Sequence, residues 1–152
     1  MMSKLVSVAV LALLMAGAAS AQDPATIAKT RHDHFKEISK ANKGIRDELM
    51  KAAPDVTLIQ TNAKTIDALA AQVPTWFPPG TGHDVVPKSD ALPVIWQKPD
   101  EFKKDAAGLA SAAHAMDVAA QSGRVDEIKA AVPALGEACK TCHTTFKVKD
   151  EH

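Results

Sequence analysis

Residues 125–146 read VDEIKAAVPALGEACKTCHTTF, and Val125, Ile128, Val132, Leu135, Cys139, Cys142 and Phe146 recur at steps of 3, 4, 3, 4, 3 and 4. That period puts side chains on one face of an α-helix. A half-buried strand would alternate every second residue. Both cysteines lie on the apolar stripe, so whatever they hold faces the interior. Pro133 falls inside the stretch, where it is expected to kink the helix or at least remove one backbone hydrogen bond.

The same period occurs three more times upstream. Phe102, Ala106, Leu109, Ala113, Met116 and Ala120 form a seam behind Pro99-Asp100-Glu101, with proline in the first turn and acids at the positive end of the dipole. Ser122-Gly123 ends it. Val56, Ile59, Ala63, Ile66, Ala70 and Val73 make a second stripe, restarted after Pro54 with Asp55 as N-cap. From residue 25 to about 50, Ile27, Arg31, Phe35, Ile38, Ala41 or Asn42, Ile45 and Leu49 make the first, with Gly44 a mild helix defect. Residues 74–97 differ: Pro74, Pro78, Pro79, Pro87 and Pro93 exclude a regular helix, and Gly80 and Gly82 mark turns. Trp76 and Trp96 are expected to anchor this long crossover to the body. The expected fold class is all-α, an antiparallel up-down-up-down four-helix bundle.

Cys139-Lys140-Thr141-Cys142-His143 sets two thiols and an imidazole at i, i+3 and i+4 of the last helix. Thiols so placed can form thioether bonds to the vinyl groups of a haem, while the imidazole reaches the iron from the same side. C-x-x-C-H is the attachment pattern of c-type haem. A thioredoxin-like redox pair needs a strand leading into the cysteine helix, and no such pattern precedes it. A structural zinc site wants four ligands, and the chain has two cysteines. A disulfide between them would close a very small loop and leave His143 without a role. The expected cofactor is therefore one covalent haem c with its iron, lying in the bundle core. The many alanines leave room for a large flat group, and the haem-free chain should pack poorly.

Lys4, the apolar run from Leu5 to Ala16 and the Ala19-Ser20-Ala21 site read as an export signal. The run is too short to span a bilayer comfortably. Residues 1–21 are expected to be cleaved, leaving residues 22–152 as one domain in a bacterial periplasm, with no membrane span. Acidic and basic residues balance at 18 each, and aromatics make up 4%. There is no basic stripe of the kind that binds nucleic acid. Lys140, Lys147 and Lys149 cluster around the haem motif; they either steer an acidic redox partner or form a solvated helix face.

Four segments resemble the cytochrome c′ family and its class II relatives, over nearly all of residues 22–152. They are Arg31-His32-Asp33-His34-Phe35-Lys36, Pro74-Thr75-Trp76-Phe77-Pro78-Pro79-Gly80-Thr81, Asp90-Ala91-Leu92-Pro93-Val94-Ile95-Trp96, and Leu135-Gly136 through Lys147. The resemblance implies that Cys139 and Cys142 hold the haem and His143 is the axial iron ligand. It implies that Arg31 lies near the propionates, that His32 and Asp90 contact the haem edge, and that Phe35 covers the distal face. Lys147 takes a proximal basic position that is Arg in many members, where a planar guanidinium and a point-charge ammonium are not equivalent. A surface role for Arg31 and a plain core role for Phe35 are the alternatives. His114 reads as a helix-edge histidine, Met116 as core, and His83 as a loop residue.

A haem iron carries electrons, binds a diatomic gas or does redox chemistry, according to its sixth position. The resemblance implies that members with methionine on the first helix are six-coordinate carriers. Members with an apolar residue there are five-coordinate and bind nitric oxide or carbon monoxide. Phe35 cannot ligate iron, so the expectation is electron transfer by a five-coordinate, gas-binding haem and not enzymatic turnover. The alternative is a six-coordinate carrier with His32 as distal ligand. Redox proteins of the periplasm are the expected partners, and pairing of two bundles into a homodimer is left open by the sequence.

Overall fold

Asp23 accepts the backbone N–H of Thr26 at 3.0 Å, and Pro24 takes the first helical position, so α1 runs Pro24–Leu49. The computed structural model describes residues 22–149; the expected signal segment, residues 1–21 with its Ala19-Ser20-Ala21 site, lies outside the described residues. Beyond α1, the buried carboxylate of Glu48 shapes the turn. It accepts Lys51 Nζ at 2.5 Å and the backbone N–H of Asp55 at 3.1 Å. Asp55 in turn caps α2, Val56–Ala70, through the N–H of Leu58 at 3.0 Å. The Asn62 side chain of α2 packs over Gly44, where a Cβ would stand 2.6 Å from Asn62 Nδ2.

A 3₁₀ turn, Val73–Trp76, follows, then irregular chain, then one helical turn, α3, Val94–Gln97. The prolines thus allow single turns but no long helix. Next, α4 spans Pro99–Gln121, with Asp100 and Glu101 in its first turn, and stops at Gly123, whose φ of 72° suits a residue without a side chain. The last helix, α5, spans Val125–Phe146 and runs on past Pro133, which sits on its exposed side.

The expected four-helix bundle is present. Extensive packing joins α1 to α2, α2 to α4, and α4 to α5, but α1 and α5 meet at only a few residues. That fourth edge is spanned by the crossover instead. At one end Arg31 of α1 bonds to Trp76, Thr81 and Ser89. At the other, residues 90–92 pair antiparallel with the end of α5: the N–H of Leu92 donates to Phe146 O at 2.9 Å, and that of Val148 to Asp90 O at 2.8 Å. Trp76 is buried and Trp96 half-buried, its Nε1–H donating to Phe77 O at 3.0 Å. Met116 is core, and His114 sits exposed, 3.5 Å from Asp67.

Candidate functional site

A cavity of about 590 Å³ lies where α1 and α5 fail to close. From α5 it receives Cys139, Cys142, His143 and Phe146, and from α1 Ala28, Arg31, His32, Phe35 and Ile38. Phe102, Ala106 and Leu109 of α4 form its back, and Val73, Phe77, Ala91 and Ile95 of the crossover part of its rim. All the residues singled out from sequence, Arg31, His32, Phe35, Asp90, Cys139, Cys142, His143 and Lys147, line this one space.

The cysteines are free and half-buried. Burial raises both thiols above their usual range, Cys142 to about 11, with the charges of Asp105 and Cys139 adding to the effect. A thioredoxin-like pair needs the reverse, a thiol lowered so that it ionises near neutral pH. His143 follows Cys142 at the cavity wall. Lys147, just beyond α5, extends Nζ to within 3.4 Å of Val148 O.

Opposite, the half-buried Phe35 ring stands edge-on to Trp76, with centroids 5.4 Å apart at 88°, and against Phe77 at 6.2 Å and 61°. Phe77 meets Phe102 at 4.8 Å, and Phe102 meets Phe146 at 5.4 Å, so one aromatic run reaches from the first helix to the last.

Arg31 is 5% exposed, which rules out the surface alternative. Its Nη1 donates to Trp76 O at 3.1 Å and Thr81 Oγ1 at 2.9 Å, and its Nη2 to Thr81 O at 2.7 Å and Ser89 Oγ at 2.8 Å. The guanidinium also lies 4.5 Å over the Phe77 ring. Burial lowers its pKa, and the charge of Asp90 opposes that shift. His32 and Asp90 are both exposed on the rim, with Nδ1 and Oδ2 4.0 Å apart. Lys36 and Lys88 line the cavity too, and neither they nor the hydroxyl partners of Arg31 stood out in the sequence as site residues. Thr81 belongs to the Pro-Gly-Thr segment; nothing about Ser89 alone marks it.

A volume of this size suits a small-molecule or cofactor site. Its walls are largely apolar, its rim carries cations, and two thiols and an imidazole stand on one wall, which is the donor set a covalent haem requires. The family model of cytochrome c′ matches residues 26–147. The chain belongs to the cytochrome c′ family. It is 38% identical over 119 residues to a cytochrome c′ of Pararhodospirillum photometricum, covering 78% of this chain and 88% of that one. The solved cytochrome c′ of Rubrivivax gelatinosus, 31% identical, superposes with a TM-score of 0.76 over 84% of this chain and 98% of that one. A ferrous variant of the Alcaligenes xylosoxidans cytochrome c′ with bound nitric oxide, 26% identical, gives a TM-score of 0.76 over 86% and 100%. A cytochrome c′ is a haem electron-transfer protein, and its cofactor is covalent haem c with its iron.

Proposed function

We propose that this cytochrome c′ transfers electrons in the periplasm with a five-coordinate iron that also binds diatomic gases such as nitric oxide. The observation that carries the reading is the pair of facing cavity walls. One bears Cys139, Cys142 and His143; the other bears the phenyl ring of Phe35, which has no atom able to ligate iron. Bound there, the haem supplies an iron that changes oxidation state by one electron and has a further axial position. Cys139 and Cys142 would hold the group by thioether bonds, and His143 would ligate its iron. Arg31, His32 and Asp90 would contact its edge, Lys147 would lie on its proximal side, and Phe35 would keep water from its distal side.

The nitric oxide complex of the Alcaligenes xylosoxidans relative supports the gas-binding part. The rings around Phe35 offer no acid–base pair of the kind a peroxidase needs, so no catalytic turnover is assigned. Export follows from residues 1–21, removed after Ala21. Among the described residues no helix is long and apolar enough to cross a membrane. Lys140, Lys147 and Lys149 would steer an acidic redox partner, in which case reduction rates fall as salt shortens the Debye length, about 10 Å at ~0.1 M.

Visible spectra of the holoprotein, ferric and ferrous, with and without carbon monoxide, test the reading. High-spin spectra in both oxidation states are expected. A low-spin ferric spectrum at neutral pH that disappears in His32→Ala would transfer the assignment to a six-coordinate carrier ligated by His32, which lines the same cavity.

A further inference from the structure

We propose that Thr81 and Ser89, acting through Arg31, are positioning residues that hold the aromatic lid over the distal face and so set how readily a diatomic gas reaches the iron. The inference deepens the five-coordinate reading and rests on it.

A guanidinium carries a full charge, and Arg31 is buried with its four hydrogen bonds directed to uncharged oxygens of the crossover. Those oxygens are themselves tied together. Thr81 Oγ1 accepts from Arg31 and donates to Pro78 O at 2.8 Å. Ser89 Oγ accepts from Arg31 and from the N–H of Ala91, and donates to Thr81 O at 3.0 Å. Both hydroxyl residues are shut away from water, at 1% and 4% exposure, so no solvent stands ready to replace a lost partner. Removing one acceptor leaves a buried charged donor unsatisfied, which costs more than losing a neutral pair.

Arg31 in turn fixes two consecutive aromatic residues, Phe77 at the cavity and Trp76 packed against Phe35. It holds Trp76 by its carbonyl and Phe77 by its ring face. Those are the two rings against which Phe35 leans. A gas molecule entering the distal side needs Phe35 to swing, and the two rings it leans on set how freely it does so. In a close-packed cluster that freedom is governed by what anchors the neighbours. Here the anchor is Arg31, and the anchor of Arg31 is the pair of hydroxyls. Neither hydroxyl needs to touch the gas or the iron to control entry.

The experiment uses the haem-loaded full protein and its variants Thr81→Val, Thr81→Ser and Ser89→Ala, since replacing Arg31 itself could prevent folding. Two quantities are read: the carbon monoxide association rate of the ferrous protein, and amide hydrogen exchange across residues 76–91. Thr81→Val and Ser89→Ala should each speed association by roughly tenfold, the scale of one lost hydrogen bond. Exchange in residues 76–91 should quicken while α2 and α4 stay protected. Thr81→Ser, which keeps the hydroxyl, should stay within about twofold of the parent protein, because the acceptor for Arg31 survives. Unchanged association rates in a five-coordinate protein would overturn the proposal, as would unchanged exchange or equal acceleration by Thr81→Ser and Thr81→Val. A low-spin parent spectrum would instead overturn the five-coordinate reading beneath it, a result visible before any variant is made.

Discussion

Between α2 and α4 the bundle closes on itself. Ile59, Ala63, Ile66 and Ala70 from one helix and Ala113, Met116 and Ala120 from the other are essentially inaccessible to water. Between α1 and α5 the same bundle stays open around a cavity of about 590 Å³. Small side chains serve both regions in different ways. Along the seam, alanines let backbones approach until isoleucine and methionine fill the gaps. At the open edge, Ala28 and Ala106 leave space that no protein group occupies. Native interiors hold few voids larger than a water molecule, so the open edge is where the proposed haem would complete the core.

The most severe way to break that contrast is to remove both attachment points. Cys139→Ser with Cys142→Ser should abolish covalent haem, so that acidic organic solvent strips the cofactor and intact mass shows the bare chain. Urea unfolding should then depend on haem concentration, with a loss on the order of 4 kcal/mol once excess haem is withdrawn. A protein of unchanged stability would mean that the open edge needs no filler.

Ile66→Ala sharpens the contrast from the sealed side. Its side chain is fully buried, so truncation should cost about 2–5 kcal/mol by urea denaturation. The loss should be the same with haem attached or absent, because well-separated sites add. A loss seen only in the haem-loaded protein would show that the two regions are one cooperative unit.

Phe35 belongs to the open side and is only half-buried. Phe35→Ala should therefore cost less than the ~3 kcal/mol typical of a core phenylalanine, while strengthening carbon monoxide binding measured by titration. Phe35→Met should move the ferric spectrum toward low spin by supplying a thioether.

The smallest effect is expected at Glu48, where α1 turns into α2. The Lys51 ammonium, and then the Asp55 N–H, hold this carboxyl below its ordinary range. A lowered folded value means that its contribution is complete above the unfolded pKa, about 4.3, and fades as pH falls through the folded value. Glu48→Gln should flatten the acid limb of a plot of thermal midpoint against pH and leave the neutral region nearly flat. An unchanged acid limb would remove Glu48 from the account of that turn.

Helical period and caps carried most of the fold. The stripe through Phe102 and Ala120 gives α4 because its spacing, its proline start and its glycine stop agree, and Asp55 caps α2 as its position suggests. The cavity wall that carries Cys139, Cys142 and His143 was legible because the three lie within five residues of one helix. Arg31 was harder to read. Its position in an apolar stripe showed that it was unusual, but not that its partners lie 45 to 58 residues away in the chain. Periodicity describes one helix at a time, whereas the fate of a buried charge depends on which irregular segment folds over it. Gly44 was hard to read in the same way: a local defect by propensity, it is covered by the Asn62 side chain of α2. The one-turn pieces around Trp76 and Trp96 were hidden by the prolines that flank them.

The strap across the open edge also bears on the order of assembly. Its ties join residues far apart in sequence: Arg31 to Ser89, and residues 90–92 to the last turn of α5. Closing such loops costs chain entropy that grows with their length, while helices and short hairpins form from near neighbours and faster. The strap is therefore expected to shut late, and its ties need the C-terminal residues of α5 in place. Until then the side of the bundle that carries Cys139 and Cys142 stands open to whatever delivers the haem. A chain cut short before Val148 would lose the donor that reaches Asp90 and, with it, part of the tie across the open edge.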